Sequence, residues 1–206
     1  MSFLQYLLFR SRGGRGPHAE ATQPVAPSVV VVPRRPSSRR ARPQPTVAAR
    51  PKTNGRASPM QARYDAMTRE YLSRYRVRVR KWRTSMSGVA WQVRYADGSV
   101  SRLIEAPYPR GPMSAAVFLH EIGHHAIGFT TYRLRCLEEY HAWAYALREM
   151  ERLGLNITEA VRRRMHDSLH YAVAKGERRG LRRVPPELEP YTKPWAGARP
   201  TRRRAG

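Results

Sequence analysis

The stretch 117-VFLHEIGHHAIG-128 sets three histidines and one glutamate inside a short, otherwise apolar run. No other feature limits the fold as tightly, because polar groups carried into a core need partners there. His120, Glu121 and His124 stand in the order HExxH. On a helix, residues four apart share one face, about one turn from each other. Two imidazoles so placed can reach one metal ion at about 2.0–2.1 Å. Glu121, one step round the helix, is offset toward a water on that ion instead of the ion itself. A polar seam in a core is the competing reading, and it must find partners for all four groups.

A catalytic zinc takes a third protein ligand and leaves one position for water. The pattern HExxHxxGxxH would supply it from the same run, but Ile127 and Thr130 stand where Gly and His are needed. A following helix over about 133–152 offers Glu138 and Glu139 instead. If it packs antiparallel to the first, Glu139 comes level with His124 within about 3 Å. The helical wheel favours Glu139, which shares its ridge with Ala142, Trp143 and Ala146. Glu138 falls on a more polar side and is expected to be a solvated charge or a partner of Arg135. Cys136, one turn before Glu139, is expected to be a small buried apolar group.

The rest of the chain organises around this pair of helices. Ser58-Pro59 is an N-cap signal, and Met60, Tyr64, Met67, Tyr71 and Leu72 recur at helical spacing over about 59–75. Over 76–106 the period falls to two, with Asp97-Gly98 as a hairpin turn, which predicts two or three antiparallel strands. The proline-rich link 107–113 is expected to be irregular, with Ser114 capping the HExxH helix. Asn156 and Glu159 form a capping-box pattern for a third helix over about 157–175. The class is therefore α+β: a short antiparallel sheet, the HExxH helix and two further helices, in a domain spanning 58–184. A proline-rich basic tail, 185–206, is expected to wrap the surface.

HExxH followed by a glutamate on the next helix resembles the gluzincin metallopeptidases. The run 139-EYHAWAYAL-147 also resembles the E-A-N-x-F-A-x-x-L segment of the ImmA/IrrE type, matching at Glu139, Ala144 and Leu147, with Trp143 in the aromatic position. It departs at Tyr140 and His141. The resemblance implies a small zincin-like domain and one Zn2+ per chain held by His120, His124 and Glu139. It implies Glu121 as general base and a protein or peptide as substrate. Such hydrolysis needs a donor to the developing oxyanion, for which His125, Tyr132, His141, His170 and Tyr171 are candidates. Asp167 could orient a ligand imidazole from behind. A strand from 88–106 could take an extended peptide by edge addition.

Charge raises a second class of function. Net charge is +24. Residues 1–57 hold eleven basic side chains against a single acid, Glu20, and eight prolines from Pro17 to Pro51. This arm is expected to be disordered and to favour nucleic acid or an anionic membrane. The alternative reading is thus a nucleic-acid-associated or structural protein whose zinc is only a staple. With a single cysteine, no disulfide within the chain is available. The apolar run Phe3–Phe9 is too short to span a bilayer, which takes about 20 residues. Its charges follow instead of preceding it, unlike a secretory leader. A cytoplasmic location is expected, with organelle targeting left open.

Overall fold

The computed structural model describes residues 30–32 and 58–197. In chain order the elements are β1 (Val30–Val32), α1 (Pro59–Arg74), β2 (Val77–Arg83), β3 (Val89–Tyr95), β4 (Val100–Pro107), α2 (Pro112–Ile127), α3 (Arg135–Arg152) and α4 (Glu159–Arg178). A 3-10 helix, Pro186–Tyr191, follows. The molecule is α+β, as the alternation of periods predicts. Among the described residues no helix is long and apolar enough to cross a membrane.

Helix starts follow local chemistry. Ser58 caps α1 by accepting from the Gln61 amide at 3.2 Å, with Pro59 opening the first turn. Two expected caps shift. Gly111 precedes α2 and Pro112 opens it, so the end of the proline-rich link is helical. Ser114 sits in the first turn and its Oγ accepts from the Arg110 and Gly111 amides at 2.9 and 3.1 Å. Thr158, not Asn156, caps α4, accepting from the Val161 amide at 3.3 Å. At α4 the Thr158 hydroxyl is an acceptor equivalent to the Asn156 amide, while at α2 Ser114 still serves the N-terminus from inside the first turn.

The sheet runs in the order β1-β3-β4-β2. The Asp97-Gly98 hairpin forms as expected: β3 and β4 pair antiparallel, and Gly98 takes φ +78°. The expectation of an all-antiparallel sheet fails at β2, which pairs parallel with β4. Residues 84–88 carry the chain past the end of β4, so β4 takes the centre. That suits its composition, since residues 104–107 are buried. Val77, Val79, Ile104 and Ala106 face α1 and α2 and share one core with Tyr64, Tyr71, Phe118, Leu119 and Ile122.

A second correction concerns the arm. Val30–Val32, inside the segment expected to lack regular structure, is a strand parallel to β3, with Val30 opposite Val93 and Val32 opposite Tyr95. It is the arm's one run of β-branched residues, and pairing with an open sheet edge supplies the hydrogen bonds such a run cannot make alone. The remainder of 1–57, and 198–206, lie outside the described residues. Within the tail, Leu188 is buried and the Tyr191 carbonyl accepts from His170 Nδ1 at 2.9 Å, tying the 3-10 helix to α4.

α2 is buried along nearly its whole length and packs chiefly on α3. The contact is close because Gly123 faces Ala142: a Cβ at Gly123 would stand 2.7 Å from the Ala142 carbonyl oxygen. Backbone cannot yield as a side-chain tip can, so Gly123→Ala must push the helices apart. We expect it to cost about 1–3 kcal/mol, the usual range for overpacking, read as a lower Tm. A Tm equal to the parent's would show that the crossing is loose.

Candidate metal centre

The α2–α3 crossing sets three donor atoms on one point. His120 and His124 project from successive turns of α2 and Glu139 from α3. Their closest atoms form a triangle: His120 Nε2 to His124 Nε2 3.3 Å, His120 Nε2 to Glu139 Oε2 3.3 Å, and His124 Nε2 to Glu139 Oε2 3.7 Å. Ligand bonds of 2.0–2.1 Å at tetrahedral angles require donors about 3.3–3.4 Å apart. Two of the three separations match that value and the third is slightly longer, so the group is compatible with a metal site. Of the two acids, Glu139 is the one in the triangle, as the helical wheel favours.

Two of the three donors, His124 and Glu139, are held from behind. Glu138 is not a solvated charge: it is 1 % exposed. Its Oε1 accepts from His124 Nδ1 at 3.1 Å and from Arg135 Nη1 at 2.5 Å. That bond keeps the proton on Nδ1 and leaves the His124 Nε2 lone pair facing Glu139. Arg135 also reaches Glu139 Oε1 at 3.0 Å, so one oxygen of Glu139 is anchored and the other points at the imidazoles. His120 is oriented differently. Its ring stacks on Trp143, with centroids 4.4 Å apart, while its buried Nδ1 has no hydrogen-bond partner.

Burial and charge act in opposite directions here. Burial lowers the His120 pKa to about 4, against the pull of Glu139, so this imidazole stays neutral and able to ligate. Burial also disfavours a charged His124, but Glu139 and the bond to Glu138 outweigh it and raise its pKa. Burial pushes against an ionised Glu139 as well; His124, His120 and Arg135 more than offset this and hold its pKa well below the usual carboxylate range. Burial dominates at Glu121 and raises its pKa to about 7.

Glu121 lies under the start of β3. A Cβ at Gly88 would stand 2.2 Å from Glu121 Oε1, so any larger residue there would have to displace this carboxylate. Gly88 is a site residue that sequence reasoning did not single out. Its one signal was a glycine directly before an alternating strand. Nearby, Arg164 of α4 donates to the Met86 carbonyl at 3.1 Å.

The other candidates fall elsewhere. His125 Nε2 donates to the Leu103 carbonyl at 3.1 Å and ties α2 to β4. His141 stacks on Tyr132, centroids 4.1 Å apart. Asp167 is exposed and pairs with Arg163 at 3.6 Å, and the place behind the imidazole foreseen for it is taken by Glu138. His170 serves the Tyr191 carbonyl, and Tyr171 is exposed beside Arg178. Cys136 is a buried free thiol outside the triangle. Comparison with protein-family models, curated proteins and solved structures found no match.

Two outcomes follow from this geometry. Glu138→Leu should weaken metal binding roughly 10–100-fold, while Glu138→Gln, which keeps an acceptor for His124, should lose less; competitive chelator titration separates them. The second concerns pH. The folded-state pKa of Glu121, about 7, lies above the ordinary carboxylate value of 4.5. The folded chain thus binds this proton more tightly than the unfolded one. The stabilising contribution is whole below pH 4.5, and is lost as pH rises through 7. At pH 8 the ionised group therefore costs about 3 kcal/mol. In metal-free protein, Glu121→Gln should raise Tm at pH 8 and change it little at pH 4. Equal effects at both would remove burial of charge as the cause.

Proposed function

We propose that the chain is a zinc-dependent metallopeptidase of gluzincin type that hydrolyses peptide bonds in a protein substrate. The observation carrying this reading is the triangle of His120, His124 and Glu139 beside a buried carboxylate, Glu121, whose pKa burial raises to about 7. Zinc held by those three side chains supplies Lewis acidity toward a carbonyl and lowers the pKa of a bound water. His120 and His124 present Nε2 lone pairs, and Glu139 presents Oε2. Glu121 works as the general base: it takes a proton from the attacking water and delivers it to the departing amide nitrogen. A base with a pKa close to the working pH does both halves of that cycle well. Burial of Glu121 against Gly88 keeps competing water away from this proton.

An extended peptide fits along β3, which starts over Glu121, by edge addition of its backbone. Zinc as a mere staple fits less well. Among the described residues the donor group stops at three, and structural zinc sites close with four. Contact of residues 1–57 with nucleic acid or an anionic membrane, driven by their excess of arginine, would recruit the enzyme to its substrate.

Elemental analysis of the full chain tests the site and hydrolysis tests the chemistry. We expect one zinc per chain in the parent and in Glu121→Gln, clearly weaker retention in Glu139→Ala, and peptide hydrolysis in the parent alone. Full activity in Glu121→Gln would sink the assigned role of that residue. A parent that takes up no zinc would leave a polar seam in its place.

A further inference from the structure

The outer edge of β3 leads to Glu121 at one end and is paired with the chain's own arm at the other. Gly88, at the start of β3, touches the Glu121 carboxylate. Val30, Val31 and Val32 pair with Val93, Arg94 and Tyr95. Between these two points, among the described residues, the outer edge of Val89–Gln92 carries no strand and is left for another. At about 3.3 Å per residue, that is roughly 13 Å of slot. A strand edge pairs with one partner at a time, because each outward N–H and C=O is used once.

Taking the proposed peptidase reading as given, we propose that Val30–Val32 closes the far end of the substrate slot and sets the length of extended peptide the site accepts. A substrate strand can pair over four residues of β3 on this side of the scissile bond. A longer one must first displace the arm. The arm is suited to the role by composition: four consecutive valines, Val29 to Val32, favour extended pairing, while Pro27 and Pro33, on either side of them, have no N–H to donate. The length limit therefore sits in a segment separate from the catalytic groups and can be altered without touching them.

The test uses the full-length, zinc-loaded chain and its Val31→Pro/Val32→Pro variant. Two adjacent prolines remove ladder donors of both alternations. Zinc content checks that the domain is intact. Amide hydrogen exchange over residues 93–95 should rise in the variant; unchanged exchange overturns the proposal, since the arm would not be holding that edge. Internally quenched random-sequence peptides of six and of fourteen residues then read the limit. The parent should favour the short set, and the variant should cleave the long set at least tenfold faster with little change on the short. An equal ratio in both proteins overturns the length limit while leaving the peptidase reading intact. Absence of hydrolysis in both, at either length, overturns the peptidase reading and the limit with it.

Discussion

The contact between Gly123 on α2 and Ala142 on α3 decides whether there is a site at all. HExxH supplies only two ligands, and both lie on one helix. The third reaches them only if the second helix comes close enough for a glutamate to span the gap. Gly123 and Ala142 remove the side-chain bulk that would keep the axes apart, and Ala146 one turn on does the same. The closeness in turn demands a fully apolar surround, which is why Phe118, Leu119, Ile122 and Trp143 flank the polar groups. Packing and chemistry are here one constraint.

Such a cluster is expensive to bury, and its wiring offsets the cost. Glu138 and Glu139 bring two negative charges into the interior and Arg135 returns one positive, shared between them. With neutral imidazoles the group is left with an excess of negative charge, so it attracts a cation. The raised pKa of His124 expresses this: a proton is drawn to the very side chain whose Nε2 faces Glu139. A metal ion held there would compete with that proton, and its uptake would release protons. Glu121 stands apart from this arrangement. Burial is the largest influence on its titration and outweighs the nearby His124, Arg135 and Arg83. Two kinds of carboxylate thus sit side by side, one pinned in its charged form and one poised between forms.

Much of this is legible in the sequence. The i, i+4 histidines and the ridge of Glu139, Ala142 and Ala146 follow from helical geometry alone, and the hairpin at Asp97-Gly98 and the cap at Ser58 from turn and cap residues. What was hidden depended on contacts distant in sequence. Glu138 looked solvated because the wheel places it beside His141 and Tyr145; only the fold shows that His124 and Arg135 close over it. Asp167 looked available because it lies on α4, but there it is exposed and paired with Arg163. The parallel pairing of β2 could not be read from alternation, which reports which faces are buried and not which neighbour a strand takes.

The order of the sheet has a consequence for the site. Had β2 paired with β3 as a simple meander, β3 would have been covered along the edge that starts over Glu121. Placing β4 in the centre and sending β2 to its far side leaves the β3 edge on the outside. The bulge between Val79 and Lys81 and the clamp of Arg80 and Arg83 on Glu105 hold β2 to β4 in that arrangement. Gly88 then admits the start of β3 onto the carboxylate. An edge strand is a hazard to a free protein, and chains usually blunt it. Among the described residues the outer strand is covered for three residues by the valine run and carries no partner strand over the four nearest the buried glutamate, the distribution that peptide addition at the proposed site would require.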